Sequence, residues 1–302
     1  MRVRALAPAK VNLSLFLGGL RADGRHRLVT VFESLSLADT LELEALPSSA
    51  VDQVVCPGVE GENLAETALE ALRARGWDGP PVRVVIDKRI PLAAGMGGGS
   101  ADAAATLRLA MAVMPGRAEE IDAIAAGLGS DVPSQLVPGV SVGTGAGELV
   151  EQFPPLAPHA FVVLPSEFSL ATPDVYREGD RLGLGRSDDE LDERYQAVLG
   201  AFVSPGLRLA GELIVNDLEP ASVSLCPSCG DAIAALRAAG AEHALVSGSG
   251  PTVVGIWWGA EARARASEAA TTLVGRYPRA VVAEPVGAEF ALPSLISEAD
   301  PV

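Results

Sequence analysis

Apolar and polar residues alternate along the first part of the chain, and later stretches repeat apolar residues at helical spacing. After Lys10, the residues Val11, Leu13, Leu15 and Leu17 alternate with polar neighbours, which predicts a strand with those four side chains on one buried face. By the same criteria, strands are predicted at residues 28–37, 39–44, 82–86, 161–164, 251–258 and 279–286, and helices at 63–75, 100–114, 118–128, 187–202, 231–239 and 261–274.

The proline-rich stretch at residues 154–158 separates two regions of regular pattern and predicts an extended connector. We expect two domains, at residues 1–155 and 156–302, because 302 residues with 48% hydrophobic content can bury more than one core. In the second region, the alternation predicts helices stacked on one face of an antiparallel or mixed sheet. The last dozen residues are predicted to be a loose tail.

Acidic residues outnumber basic ones by 39 to 23, which gives a net charge of −16. This charge disfavours nucleic acid and anionic membranes as partners, but a small anionic substrate remains compatible because exposed charges are screened beyond about 8 Å. The chain contains no apolar run of about 20 residues, and its start lacks the apolar core of a signal peptide. We therefore expect a cytoplasmic protein.

A glycine-rich stretch, residues 90–102, joins a predicted strand to a predicted helix. Glycine allows a ligand to approach the backbone, and a helix start offers unpaired N–H groups, so a phosphate site is one interpretation. A flexible loop capped by Ser100 is the alternative. The stretch lacks the Gly-Lys-Ser/Thr of a Walker A loop, and Ser100 replaces the third glycine of the dinucleotide fingerprint. A different kind of phosphate loop is needed.

Three polar residues outside this stretch are candidates for chemistry. Lys10 is one of two lysines among 23 basic residues, which indicates a need for a compact point charge; a solvated strand face shared with Asn12 is the alternative. Asp131, two residues before a proline, is either the N-cap of a short helix or a catalytic carboxylate. His26 lies at the start of a predicted strand, as a surface or packed residue or as a ligand contact.

Two further patterns favour structural interpretations. Cys226 and Cys229 have the spacing of a redox pair or half a zinc site, but without a second pair or a nearby histidine we expect ordinary thiols near a helix start. Cys56 stands alone in the sequence. The glycine cluster at residues 143–148 is interpreted as a tight turn between strands rather than a second ligand loop.

Six motifs in order resemble the GHMP kinases. They are PAKVNL at residues 8–13, ADGRH at 22–26, PLAAGMGGGSADAA at 91–104, LGSDVP at 128–133, NDLE at 216–219 and SGSG at 247–250. The resemblance spans residues 7–286. It implies an α+β fold, with an N-terminal domain like ribosomal S5 domain 2, a ferredoxin-like C-terminal domain and an active site between them.

The resemblance also implies transfer of the ATP γ-phosphoryl group to an alcohol. Within the family, the motifs are most similar to those of kinases acting on the 2-hydroxyl of a cytidine-diphosphate-linked methylerythritol in the non-mevalonate isoprenoid route. By position, Lys10 and Asp131 match the catalytic pair. Magnesium is expected to bridge the phosphates, with the Ser100 hydroxyl as a candidate ligand. The match to the ATP phosphate loop comprises Pro91, Leu92, Ala93, Ala94, Gly95, Met96, Gly97, Gly98, Gly99, Ser100 and Ala101.

The acceptor site follows from the same resemblance. Asn12 and His26 match residues that contact the cytidine substrate, and Tyr176, four residues after Thr172, matches an aromatic residue that stacks on cytosine. Ser247, Gly248 and Ser249 match a loop that closes the site.

Two positions depart from the family pattern. Arg25 replaces a tyrosine that forms the second wall of the cytosine site, and its planar guanidinium is expected to stack on the base instead. Ala93 replaces a glycine. Two alternative functions remain open: another GHMP small-molecule alcohol kinase, of homoserine or mevalonate type, and a non-catalytic nucleotide-binding protein.

Overall fold

The computed structural model describes residues 1–92, 94–116, 118–204 and 206–296, which form two β-sheets flanked by helices. The strands are β1 (Arg2–Leu20), β2 (His26–Ala45), β3 (Gln53–Val55), β4 (Val82–Asp87), β5 (Val140–Thr144), β6 (Leu149–Phe153), β7 (His159–Leu164), β8 (His243–Val246), β9 (Val253–Trp258), β10 (Val281–Ala283) and β11 (Ser294–Leu295). The helices are α1 (Leu64–Ala74), α2 (Gly98–Val113), α3 (Ala118–Leu128), α4 (Val132–Leu136), α5 (Thr172–Leu182), α6 (Asp188–Gly200), α7 (Glu219–Leu225), α8 (Ser228–Ala238) and α9 (Ala262–Leu273).

Within the described ranges, the first sheet has seven strands in the order β11-β1-β2-β4-β3, with the hairpin β5–β6 added through β2. The second sheet has four antiparallel strands in the order β10-β7-β9-β8. Helices α1 and α2 pack against the first sheet and α8 and α9 against the second, because each contributes apolar residues to the shared core. This arrangement confirms the predicted α+β class. Among the described residues, no helix is long and apolar enough to cross a bilayer.

A bulge in β1 overturns the prediction that four apolar side chains share one face. Asn12 pairs with Phe32 and Ser14 with Val31, so that Leu13 is an extra residue opposite a continuous β2. The alternation reverses after this point. Val11 and Leu13 enter the main core, whereas Leu15 and Leu17 lie on the other face in a separate cluster with Val175, Leu218 and Ala221.

Several other predictions need correction. The strands predicted at 28–37 and 39–44 are a single strand, β2, and helices α5 and α7 were not predicted. The predicted loose tail is wrong for its described part: Ala291 is buried, and β11 pairs with β1 in the first sheet. Tertiary pairing therefore fixes a segment whose own sequence pattern is weak. The domain boundary at residue 155 stays a prediction.

A buried ion pair joins the two sheets. His159 on β7 contacts Glu33 on β2 at 2.8 Å through Nε2, while its Nδ1 lies 2.8 Å from the carbonyl oxygen of Ala157. Both ring nitrogens face acceptors, so the imidazole carries both protons. Burial alone would lower the pKa of His159, but Glu33 and the Ala157 carbonyl outweigh it and raise this pKa above its ordinary value.

We predict that Glu33→Gln changes the sign of the His159 contribution to the pH dependence of stability. With its pKa raised, His159 stabilises the fold below its ordinary pKa, and this contribution is lost as pH rises through the raised pKa. Without the carboxylate, burial lowers the pKa of His159 and the contribution grows with pH. The free energy of unfolding of the wild type minus that of Glu33→Gln should therefore fall between about pH 5 and pH 9. The fall should be about 1.4 kcal/mol for each unit by which the pKa of His159 in the wild type exceeds its pKa in the variant.

Denaturant unfolding at several pH values measures this difference. Glu284→Gln is the matched control, since Glu284 forms an exposed ion pair with Arg263. A wild-type advantage that is constant across this pH range would contradict the assignment.

Candidate active site

A cleft of about 200 Å³ opens where elements of both sheets meet. Its floor is the face of β1 and β2 that carries Lys10, and its rim includes the start of α4, the β5–β6 turn and residues of α5. The lining residues are Lys10, Asn12, Leu15, Leu28, Thr30, Phe32, Gly95, Gly97, Ser130, Asp131, Ala146, Gly147, Thr172, Tyr176, Gly248 and Ser249.

The glycine loop, residues 91–101, leads into α2 and contributes Gly95 and Gly97 to the cleft. Gly97 caps α2 with a φ of 68°, and Gly95 has a φ of 74°, both in the left-handed region. A Cβ on Gly95 would lie only 2.4 Å from the carbonyl oxygen of Gly250. Glycine is therefore required where the two loops approach each other.

The other residues of the glycine loop are distributed between core and surface. Ala94, Met96 and Ala101 are buried, so only their backbones can face a ligand, and the Met96 carbonyl accepts a hydrogen bond from the Lys10 N–H at 3.0 Å. Leu92 is exposed. Pro91, Gly98 and Ser100 are half-buried and Gly99 is exposed, whereas Ala93 lies outside the described residues.

Lys10 and Asp131 meet in this cleft. The Lys10 Nζ lies 3.1 Å from the Asp131 Oδ2, with side-chain exposures of 6% and 30%. The Asp131 carboxylate makes no capping hydrogen bond to α4, although Asp131 precedes the first residue of that helix. Asp131 is thus the N-cap of α4 by position, as one interpretation from sequence predicts, but its side chain is not used for capping. The result is a buried ammonium beside a carboxylate that remains accessible from the cleft.

Asn12 fixes the position of this ammonium. Its Oδ1 accepts a hydrogen bond from Lys10 Nζ at 2.9 Å, and its Nδ2 donates to Thr30 Oγ1 at 2.7 Å. The Thr30 hydroxyl in turn donates to the Ser14 carbonyl at 2.6 Å. Because the polar atoms in this series of hydrogen bonds are paired, the amide of Asn12 is held in one orientation.

A second cavity, of about 470 Å³, adjoins the cleft and shares Thr172 and Tyr176 with it. The rings of His26 and Tyr176 lie 5.3 Å apart, and His26 Nε2 is 2.8 Å from Asp180 Oδ1. Burial, together with the nearby Asp131 carboxylate, raises the pKa of Tyr176 to about 12. The phenol therefore stays neutral at physiological pH.

Arg25 lies at the edge of this second cavity. Its side chain is half exposed, with Nη2 3.2 Å from Asp23 and 3.9 Å from Glu148. Glu148 also accepts hydrogen bonds from the Ala146 N–H and from Arg21. Burial opposes ionisation of Glu148, but these hydrogen bonds and Arg25 outweigh it and lower its pKa. The acidic partners hold the Arg25 guanidinium at the cavity mouth.

The loop at residues 247–250 closes the cleft from the second sheet. Asn216 Nδ2 donates to the carbonyls of Val246 and Gly248 at 2.8 and 2.7 Å. Ser249 Oγ lies 3.0 Å from Thr172 Oγ1, whereas Ser247 is fully buried and accepts a hydrogen bond from the Asn12 N–H. Of the residues predicted here, Gly248 and Ser249 line the cleft, and Ser247 supports it from behind.

Some site residues were not identified from sequence. Thr30 and Phe32 share a face of β2, which alternation could have indicated, but their place beside Lys10 depends on the bulged pairing of β1 and β2. Asp180 lies on α5, and Pro173 in the first turn of this helix is the sequence signal that indicates its start. The predicted turn at residues 143–148 is confirmed, and it also contributes Ala146 and Gly147 to the cleft.

The cysteines form neither of the special sites considered for them. Cys56, Cys226 and Cys229 are free thiols, and burial raises the pKa of Cys229 to about 12. Within the described ranges, no group of three or more His, Cys, Asp or Glu residues could hold a metal ion. Cys226 and Cys229 lie at the start of a helix, as predicted, because α8 begins at Ser228.

Comparison with known proteins identifies the family. The model described as "GHMP kinases N terminal domain" matches residues 63–139, and the one described as "GHMP kinases C terminal" matches residues 198–274. A 4-diphosphocytidyl-2-C-methyl-D-erythritol kinase from Streptomyces coelicolor is 44% identical over 83% of this chain and 86% of its own length. The chain belongs to the GHMP kinase family. A kinase of the same name from Rhodococcus jostii is 41% identical over 86% of each chain.

Solved structures agree with this membership. A crystal structure of a 4-(cytidine 5'-diphospho)-2C-methyl-D-erythritol kinase matches with a TM-score of 0.74 and 34% identity, over 94% of this chain and 99% of that chain. A homoserine kinase from Cytophaga hutchinsonii matches with a TM-score of 0.71 at 16% identity, over 98% and 97% of the two chains, which reflects the shared fold alone. This GHMP kinase therefore has the two-domain fold of its family and is an ATP-dependent kinase.

Proposed function

We propose that this GHMP kinase transfers the γ-phosphoryl group of ATP to the 2-hydroxyl group of 4-diphosphocytidyl-2-C-methyl-D-erythritol. The observation that carries the proposal is the Lys10–Asp131 pair, which lies between the glycine loop and the cavity that contains His26 and Tyr176. The relatives named for this reaction are similar over most of the chain, which supports the same acceptor.

The catalytic pair acts at the attacking hydroxyl group. Asp131 orients this hydroxyl and accepts its proton, and Lys10 stabilises the carboxylate and the negative charge that develops on the reacting oxygens. Phosphoryl transfer depends mainly on positioning and electrostatic stabilisation, so a side chain held as firmly as Lys10 suits the reaction.

The glycine loop holds the phosphates of ATP. The left-handed Gly95 and Gly97 line the cleft, and Gly97 is the N-cap of α2, whose first N–H groups have no partner within the helix. Backbone donors of this kind bind phosphate without a nearby lysine of the Walker type. They also act locally, so the net charge of −16 does not prevent the binding of an anion.

The donor set fits a magnesium ion that arrives with the nucleotide. The described residues offer no three-residue cage, and Mg²⁺ in kinases is bound chiefly by phosphate oxygens, water and one or two protein oxygens. The Ser100 hydroxyl, in the first turn of α2, is the protein ligand we propose. Bound there, the ion would neutralise charge on the phosphates.

The second cavity binds the cytidine portion of the acceptor. Tyr176 supplies an aromatic face, and Arg25 supplies a guanidinium that stacks on the base from the other side. Because His26 Nε2 is already hydrogen-bonded to Asp180, the edge of the base is contacted by the Nδ1 atom and the backbone of His26. Asn12, Thr172, Gly248 and Ser249 contact the part of the acceptor nearest the reacting hydroxyl, with Ser247 in support behind them.

A panel of acceptors tests this function by coupled ADP release with ATP and Mg²⁺. Turnover with 4-diphosphocytidyl-2-C-methyl-D-erythritol should exceed that with homoserine or mevalonate by at least about a hundredfold in kcat/KM, because those alcohols leave the polar groups of the second cavity unpaired. Comparable turnover of homoserine or mevalonate would instead identify another alcohol kinase of the family. Tight ATP binding without transfer to any acceptor would identify a non-catalytic nucleotide-binding protein.

Arg25→Ala should raise the KM for the cytidine-linked acceptor about fivefold and leave the KM for ATP unchanged, since loss of a guanidinium–base stack costs about 1 kcal/mol. Arg25→Tyr should restore the affinity because tyrosine also offers a planar face.

Initial-rate kinetics with each substrate varied in turn measures both constants. Arg27→Ala is the matched control, because Arg27 pairs with Asp188 and Asp192 on α6. An acceptor KM that stays at the wild-type value in Arg25→Ala would show that Arg25 is not a wall of the base site.

A further inference from the structure

Lys88, the second of the two lysines, lies in a buried ionic network beside the glycine loop and outside the cleft. Its Nζ donates to Asp39 Oδ2 at 2.5 Å and to Asp102 Oδ2 at 2.7 Å. The side chains of Asp39 and Asp102 are 0% and 3% exposed, and that of Lys88 is 12% exposed. Burial lowers the pKa of Lys88, but the two carboxylates outweigh it and raise this pKa, so the ammonium is charged.

This network connects the two ends of the glycine loop. On the entry side, Asp39 Oδ1 accepts hydrogen bonds from the N–H groups of Arg89 and Ile90, at 2.5 and 2.8 Å. On the exit side, Asp102 belongs to α2, the helix that the loop enters. Lys88 bridges the two carboxylates, and its Nζ lies 3.3 Å from the place where a Cβ of Gly98 would be. One ammonium group therefore links the end of the strand to the start of the helix.

Stability alone does not account for the network. One cation faces two buried carboxylates, and Asp102 Oδ1 has no hydrogen-bond partner. Replacing a buried ion pair by apolar residues of similar volume is often neutral or stabilising by about 1–4 kcal/mol. Burial raises the pKa of Asp102 to about 7, so this arrangement, which also leaves an oxygen unpaired, is expected to lower the free energy of unfolding rather than raise it.

We propose that Lys88, Asp39 and Asp102 are positioning residues, which hold the glycine loop at the width that ATP phosphates require. This inference rests on the proposed function only in taking ATP as the ligand of the loop. The three residues affect the binding of the nucleotide and leave the acceptor cavity unchanged, because none of them lines the cleft or the second cavity.

The test uses Lys88→Met/Asp102→Leu, a double variant that removes the bridge while preserving net charge and approximate volume. Calorimetric titration with ATP and Mg²⁺ should show a Kd raised about tenfold or more, whereas thermal stability should fall, because Asp39 stays buried without its cation. In turnover assays, KM for ATP should rise by a similar factor, and KM for the acceptor should stay within about twofold. Asp102→Asn, which keeps an acceptor for Lys88, should bind ATP within about threefold of the wild type.

Arg89→Met is the matched control, because the neighbouring Arg89 side chain forms an ion pair in which both partners are 65% exposed. If the double variant does not fold, Asp102→Leu alone is measured, and it should weaken ATP binding at least about fivefold. Unchanged or tighter ATP binding in a folded variant overturns the inference, and so does a loss of stability without a loss of affinity. Calorimetry needs no acceptor, so failure of the wild type to phosphorylate the cytidine-linked alcohol would refute the proposed function without deciding this inference.

Discussion

The site depends on one buried ammonium group. Lys10 has a 6% exposed side chain, yet it carries its charge into a cleft, because Asn12 accepts a hydrogen bond from its ammonium, Asp131 forms an ion pair with it, and the centre of the Phe32 ring lies 5.6 Å away. Its backbone N–H also binds the glycine loop through the Met96 carbonyl. The same residue thus contacts the Asp131 carboxylate through its side chain and the glycine loop through its backbone.

Around Lys10, a different group of side chains holds each loop of the site. The glycine loop is fixed from outside the cleft by buried charges, and the closing loop at residues 247–250 is fixed by Asn216 from the second sheet. The buried pair between Glu33 and His159 joins the sheets on the other side of β2 from Phe32. Each loop can therefore remain irregular in backbone, because side chains from outside the loop hold it in place.

Much of this site could be predicted from sequence, and the remainder depended on pairing. The glycine loop, Lys10 and Asp131 were identified because their motifs are local, and the structure brings them together. Leu15 was assigned to the wrong face, since a bulge created by strand pairing is not encoded in alternation alone. Asp180 was missed because α5, although amphipathic, contains few apolar residues, and the C-terminal strand was missed because it forms only against β1.

The central claim is that Lys10 and Asp131 act as one unit on the attacking hydroxyl, and a double-mutant cycle in single-turnover kinetics tests it most directly. Lys10→Met and Asp131→Asn should each lower the rate of phosphoryl transfer by about 10² to 10⁴, and the double variant should lose little more than the worse single variant, because each residue is ineffective without the other. Losses that multiply, or an Asp131→Asn enzyme with a rate near that of the wild type, would contradict the account.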